Sequence, residues 1–295
     1  MNKGEFYMVD VFSAERFGGN QLAVFTQGHA FSDEEMQAVA REINFSETTF
    51  IFPRESRGNR YRVRIFTPAA EVPFAGHPTL GTAFVIQTFL AAEKHEQIIL
   101  DLNVGPIPVD LEYEDNRVGI MTMRQNPPVF GETLPAEALA QVLNIEPEDV
   151  DGRFPVQEVS TGLPFIIVPL KTRDAVSRAR LNKEAYDALI QDLEAKAILF
   201  FAPETVHAEN HLHARVFTEF YGVPEDPATG SANGCLAGYL LRYEYFGSTH
   251  LEIRVEQGFE MGRDAILFLS GSKNDEQITV HVGGRAAAFA RGEIL

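Results

Sequence analysis

The chain of 295 residues contains one cysteine, Cys235, so neither an intramolecular disulfide nor a Cys-rich metal knuckle can form. It is also short of positive charge: 25 Lys and Arg against 42 Asp and Glu leave a formal net charge of −17. A nucleic-acid backbone or an anionic membrane surface would be repelled at long range, which points to a soluble, small-molecule role. The opening "MNKGEFYMVDVF" has no signal-peptide core, because Asp10 interrupts its apolar run, and the expected location is cytoplasmic. A membrane span is not expected either. The uncharged stretch between Glu71 and Glu93 is broken by Pro73, Gly76 and Pro78, and about 13 helical residues after Pro78 would reach only roughly 20 Å. Neither G-x-x-x-x-G-K-[ST] nor G-x-G-x-x-G occurs, so nucleotide cofactors have no support. Ser231 lacks the G-x-S-x-G surroundings of a hydrolase nucleophile.

What is present is an ordinary globular composition, 45% hydrophobic, in a chain long enough for two domains of about 150 residues. "FYMVDVF" and "QLAVFTQG" read as strands joined by a Gly-containing loop. "FSDEEMQAVAREIN" predicts a helix capped by Ser32 with Glu35 three residues on. "SETTFIF" predicts a strand that begins at Glu47, and "YRVRIFTP" alternates as a half-buried strand does. "RQNPPVFGETLP", with three prolines and a glycine, is the best linker candidate. Beyond it, "VQEVSTGLPFIIVPL" reads as one strand, "PAEALAQVLN" and "NKEAYDALIQDLEAK" as amphipathic helices, and the finish from "LEIRVEQG" onward as strands.

An internal repeat organises these pieces. "VRIFTPAAEVPFAGHPTLGTAFVIQTFL" has a counterpart in "ARVFTEFYGVPEDPATGSANGCLAGYLL". Aligning Gly76 on Gly230, an offset of 154 residues, pairs Pro73 with Pro227 and His77 with Ser231. Both segments predict a helix apolar on every side, which must be surrounded by protein. Gly230, Gly234 and Gly238 recur every four residues in the second helix, so one of its faces should let a neighbouring backbone come close. The expected architecture is α+β: two similar domains, each with strands around a central apolar helix. The first covers 1–127, completed by a C-terminal strand near 284–295, and the second covers 128–283.

Each predicted helix opens with glycine and a polar residue, Gly76-His77-Pro78 and Thr229-Gly230-Ser231, and a helix N-terminus suits an anion. If the halves face one another, both starts would hold a carboxylate without any Lys or Arg. Pro78 fits the first helical position. Taken singly, His77 serves equally well as an N-cap and Asp226, before Pro227, as a turn former. Glu47 sits at the mouth of an apolar strand, where desolvation would raise its pKa and make it a general acid or base near neutral pH. His207, His211 and His213 have a spacing that a metal could use, but no carboxylate or Cys is obviously placed to complete it, and no metal is expected. Cys235, one turn past Ser231, reads as a buried packing thiol.

"GNQLAVF", "NFSETTFIF", "IFTPAAEVPFAGHPTLGTA", "EDPATGSANG" and "FARGEI", in that order and spacing, resemble the phenazine-biosynthesis isomerase (PhzF-like) family across the whole chain. The conjunction of "FAGHP" with "DPATGSA" is the specific part. The resemblance implies a diaminopimelate-epimerase-like fold, each domain a mainly antiparallel strand barrel wrapped around its central helix, with the site between the domains. It implies no cofactor, no metal and a homodimer. Family activity moves a proton within trans-2,3-dihydro-3-hydroxyanthranilate. By the resemblance Glu47, His77 and Asp226 would carry acid/base catalysis, and Gly76, Gly230 and Ser231 would bind the substrate. Epimerases of this fold use two cysteines, one at each helix start; here Ala75 and Thr229 stand in those places, so a two-thiol mechanism is impossible.

The expected function is therefore a cofactor-independent isomerase shifting a proton and double bond in a small unsaturated or cyclic carboxylate. Epimerisation or β-elimination from the same site is the alternative within enzymes, and a carboxylate-binding protein without turnover is the alternative outside them. A bell-shaped pH profile depending on Glu47 and His77 is the kinetic expectation.

Overall fold

The structure is a computed structural model that describes residues 4–52 and 58–294; the outer bounds of the expected first domain, Met1 and Leu295, lie outside the described residues. The chain divides into two compact units, one ending at Arg124 and resuming at Gly283, the other Gln125–Val282.

The first unit comprises β1 (Glu5–Val11), β2 (Asn20–Phe25), α1 (Asp33–Ile43), β3 (Glu47–Phe52), β4 (Arg60–Phe66), β5 (Glu71–Val72), α2 (Gly76–Val85), β6 (Gln97–Leu102), β7 (Gly105–Glu114) and β8 (Arg117–Arg124). The second begins with β9 (Val129–Leu134), α3 (Ala136–Leu143), β10 (Val156–Ser160), β11 (Pro164–Pro169), α4 (Arg173–Arg178) and α5 (Lys183–Ile190). It continues with β12 (Ala197–Ala202), β13 (Leu212–Thr218), β14 (Val223–Glu225), α6 (Gly230–Arg242), β15 (His250–Gln257) and β16 (Ala265–Asn274). β17 (Gln277–Gly284) then leads out of the second unit, and β18 (Ala286–Glu293) returns to the first by pairing with β1.

The fold is mixed α and β with mostly antiparallel strands. In the first unit the pairing runs β18-β1-β2-β3-β4-β6-β7-β8, with only β2–β3 and β4–β6 parallel. In the second it runs β9-β10-β11-β12-β13-β15-β16, with only β11–β12 and β13–β15 parallel. Each parallel pair is bridged by a crossover carrying a helix, as parallel strands require. α1 lies between β2 and β3, and its Ser32 and Glu35 form a capping box. The aromatic core beneath α1 stacks Phe25 on Phe50 at 5.0 Å, with Met36 and Ala40 above.

Every residue of α2 is buried, and it touches β1, β2, β3, β6, β7, β8 and β18. α6 is buried from Ala232 to Leu241 and touches β10, β11, β15 and β16. Such helices leave no room for charge. At Gly81 an added Cβ would lie 2.6 Å from Leu22 Cδ2 and 2.7 Å from Val11 Cγ2, so α2 presses on β1 and β2 through that glycine. Gly238 plays the same part against Pro128, at 2.7 Å, and Gly234 against the Gln125 and Thr161 side chains at 3.1 Å. The expected close neighbour of the α6 glycines was a backbone, and the structure puts side chains there.

Other expectations change as well. "VQEVSTGLPFIIVPL" is two strands, β10 and β11, because Gly162 turns the chain at φ 139 between them. The stretch read as a linker holds β9, which pairs with β10; its prolines sit before and after the strand, where no ladder N–H is lost. Among the described residues no helix is long and apolar enough to cross a membrane.

Candidate active site

Three segment starts meet in the first unit. β2 and β3 run parallel with Leu22 opposite Glu47, which sets the beginnings of both strands side by side. α2 lies against β3: Thr49 Oγ1 is 2.9 Å from Thr82 Oγ1. Two residues back along β3 and five back along α2 are each about 7 Å, so strand and helix stay in step and Glu47 arrives beside His77. Glu47 Oε2 is 3.4 Å from His77 Nε2, and the Glu47 side chain is 18% exposed while His77 is buried.

His77 is the second residue of α2, Gly76 the first, and Ala75 the N-cap, so His77 is not the cap and Pro78 is third, not first. A proline is tolerated there because the amides of the first turn have no partner within the helix. Burial pushes the His77 imidazole down to about 3, and a hydrogen bond to the Gln21 backbone recovers part of that. Nε2 has no hydrogen-bond partner among the described residues, so the Gln21 carbonyl takes Nδ1–H. The neutral ring then presents a bare Nε2 lone pair towards Glu47. The surroundings of His77 do not favour its part in the expected bell-shaped profile, because desolvation holds the ring in its neutral form.

Around the other helix start the chemistry is polar and tied together. Asp226 follows β14, its N–H donates to the Val216 carbonyl at 3.0 Å, and its Oδ2 accepts from Thr229 Oγ1 at 2.5 Å. Thr229 is the N-cap of α6, Gly230 its first residue and Ser231 its second. Neither α2 nor α6 has a side-chain cap or an acidic residue in its first turn, so both N-terminal ends keep their positive character. The structure thus joins Glu47, Gly76 and His77 in one cluster and Asp226, Gly230 and Ser231 in another.

A family model described as phenazine biosynthesis-like protein (PhzC-PhzF) matches residues 9–292. The chain belongs to that family. Trans-2,3-dihydro-3-hydroxyanthranilate isomerase of Pseudomonas aeruginosa is 35% identical over 289 residues, covering 97% of this chain and 98% of its own. The protein of the same name from Pseudomonas fluorescens is 33% identical over 293 residues, covering 98% and 99%. The crystal structure of a PhzF-family phenazine biosynthesis protein from Bacillus anthracis superposes with a TM-score of 0.91 at 28% identity, over 100% of both chains. This PhzF-family chain is an isomerase.

Within this PhzF-family fold, Cys235 is no acid or base. Burial pushes its thiol up to about 12, a contact with Thr161 at 3.7 Å notwithstanding. The histidine group resolves differently from a metal spacing: His213 Nδ1 and Nε2 lie 2.9 Å from Glu256 and 2.9 Å from Glu260, and His211 Nδ1 accepts from the Arg254 N–H. The carboxylates that seemed missing lie more than 40 residues on in sequence. Sequence reasoning also passed over Gln21, whose backbone carbonyl accepts from His77, and Gln257, whose side-chain amide donates to the Asp226 carbonyl. In "LEIRVEQG" apolar and charged residues alternate, and Gln257 stands where the alternation calls for an apolar one, which was the available signal.

Proposed function

We propose that the protein is a cofactor-independent isomerase that moves a proton, and with it a double bond, within a small cyclic or unsaturated carboxylate of the trans-2,3-dihydro-3-hydroxyanthranilate type. The observation that carries this reading is the 3.4 Å approach of Glu47 Oε2 to the buried Nε2 of a neutral His77. Glu47 takes a proton from one carbon of the substrate; the C–H electron pair becomes the new double bond, and the electron pair of the existing double bond takes up a proton from Glu47 at its far carbon. Protons and electrons balance without any oxidant. Nε2 of His77 is an acceptor and orients the protonated Glu47 carboxyl, whose acidic proton exchanges with solvent before the second transfer.

Asp226 completes the acid/base group in this reading, and Gly76, Gly230 and Ser231 bind the carboxylate through helix-start amides, which have no acidic residue in their own first turn. Two duplicated, diaminopimelate-epimerase-like domains, each a strand barrel around its buried helix, are the matching architecture; the recurrence of one pairing order in both units supports it. The reading includes a homodimer in the cytoplasm with no nucleic-acid, membrane or metal partner.

The test is turnover of trans-2,3-dihydro-3-hydroxyanthranilate in deuterium oxide. Wild type should give isomer carrying solvent deuterium at the newly protonated carbon, and Glu47→Gln should give neither isomer nor label. Equal labelling by both proteins would remove Glu47 from its role, and binding without labelling would favour a carboxylate-binding protein.

A further inference from the structure

Gln257 closes β15 and is completely buried. Its Nε2 donates to the Asp226 carbonyl at 2.8 Å and to Thr229 Oγ1 at 3.1 Å. Its Oε1 accepts from the Thr229 N–H at 3.2 Å and from Asn233 Nδ2 at 2.9 Å. Both donors and both lone pairs of the amide are therefore used. The amide has one possible orientation, because a backbone carbonyl only accepts and a backbone N–H only donates. The next residue brings the strand end tight against the same turn: Gly258 has φ 81, and a Cβ there would lie 2.6 Å from the Pro227 carbonyl oxygen.

We propose that Gln257 is a positioning residue that sets the rotor of the Thr229 hydroxyl and, through it, the carboxylate of Asp226. Because Thr229 Oγ1 accepts from Gln257, its own proton is directed at Asp226 Oδ2, 2.5 Å away. The chain of donation runs Gln257 N–H to Thr229 O–H to the Asp226 carboxylate, and its sense is fixed by the amide. The neighbouring carboxylate does not compete, since Glu225 is held by Arg215 in a two-point pair at 2.8 Å and 2.8 Å. The significance for catalysis rests on the proposed function, in which Asp226 belongs to the acid/base group; the geometry itself does not.

The experiment follows the Asp226 carboxyl by 13C NMR titration and, in parallel, kcat and KM on trans-2,3-dihydro-3-hydroxyanthranilate. Gln257→Glu offers Thr229 a competing acceptor and Thr229→Val removes the relay; each should raise the Asp226 midpoint by about one pH unit. Each should lower kcat by about tenfold to a hundredfold with KM little changed. The double variant should lose no more than the worse single one, because both act on one chain, and Thr229→Ser should stay within about threefold of wild type. An Asp226 titration unmoved in both single variants, or losses that multiply in the double variant, would overturn the proposal. A moved Asp226 midpoint in a protein that turns over none of this substrate would uphold the positioning and retire only the proposed function.

Discussion

Among the described residues two histidines are buried, one in each unit, and they answer burial in opposite ways. His213 on β13 has a carboxylate on each ring nitrogen, Glu256 and Glu260, both at 2.9 Å. Burial works against its charge, yet the hydrogen bonds to Glu256 and then Glu260 outweigh it and raise the imidazole above its ordinary value. His77 at the start of α2 has one backbone carbonyl and a carboxyl at a looser 3.4 Å, and burial takes it down to about 3. Desolvation alone therefore does not decide a histidine's state; the closeness and number of its partners do. The first arrangement uses up every hydrogen-bonding position in holding β13, β15 and the following turn together. The second leaves a lone pair open beside an acid, which is what a proton-transfer site requires.

The largest expected effects separate the two. Glu47→Gln should lower kcat by about 10²- to 10⁴-fold, measured by steady-state turnover, while melting temperature stays near that of wild type. His213→Ala should do the reverse: kcat per folded molecule holds, but denaturant titration should show a loss of about 3–5 kcal/mol, because Glu256 and Glu260 lose their buried counter-charge. Similar kinetic losses in both variants would erase the distinction.

A smaller effect compares the two buried helices. Gly81→Ala should cost about 1–3 kcal/mol, since two packed branched side chains stand within 2.7 Å of the new methyl. Gly234→Ala should be close to neutral: its neighbours at 3.1 Å are the Gln125 and Thr161 side chains, which can give, and the helix gains up to about 1 kcal/mol from alanine. Equal costs in urea titrations would show that the two helices are packed alike.

The smallest effect is in pH. His77 has a folded pKa far below its unfolded 6.5, so the unfolded chain binds more protons and stability falls as pH drops from 6.5 towards 3. His213 has a folded pKa above 6.5, so its contribution is complete below 6.5 and is lost as pH rises through the folded value. Its partners Glu256 and Glu260 are held down to about 2, burial being outweighed by the His213 hydrogen bond, so their contribution is present above the unfolded carboxylate range and lost as pH falls towards 2. In melting curves from pH 6 to 9, wild type should lose part of its margin over His213→Gln as pH rises; a constant margin would mean that His213 keeps one charge state across that range.

Much of this was legible in the sequence wherever the causes are local. Ser32 and Glu35 announced α1, and the glycine, polar residue and uncharged run announced the starts of α2 and α6. The repeat went further than its alignment showed. Arg64 and Arg215 match in it, and each makes a two-point pair with a glutamate on the following short strand, Glu71 or Glu225. What stayed hidden depends on contacts distant in sequence. Gln257 meets Asp226 across 31 residues, and His213 meets its carboxylates across 43 and 47. The neutrality of His77 was out of reach for a related reason: a helix start is exposed in isolation, and only packing of α2 inside its unit removes water from the ring.

The most direct test of the central claim, that proton-transfer capacity sits at Glu47 and His77 and not at the other buried histidine, is 15N NMR of the imidazole nitrogens at pH 7. The expected spectrum shows His77 neutral with its proton on Nδ1 and a bare Nε2, and His213 protonated on both nitrogens. A doubly protonated His77, or a His77 carrying its proton on Nε2, would contradict the account.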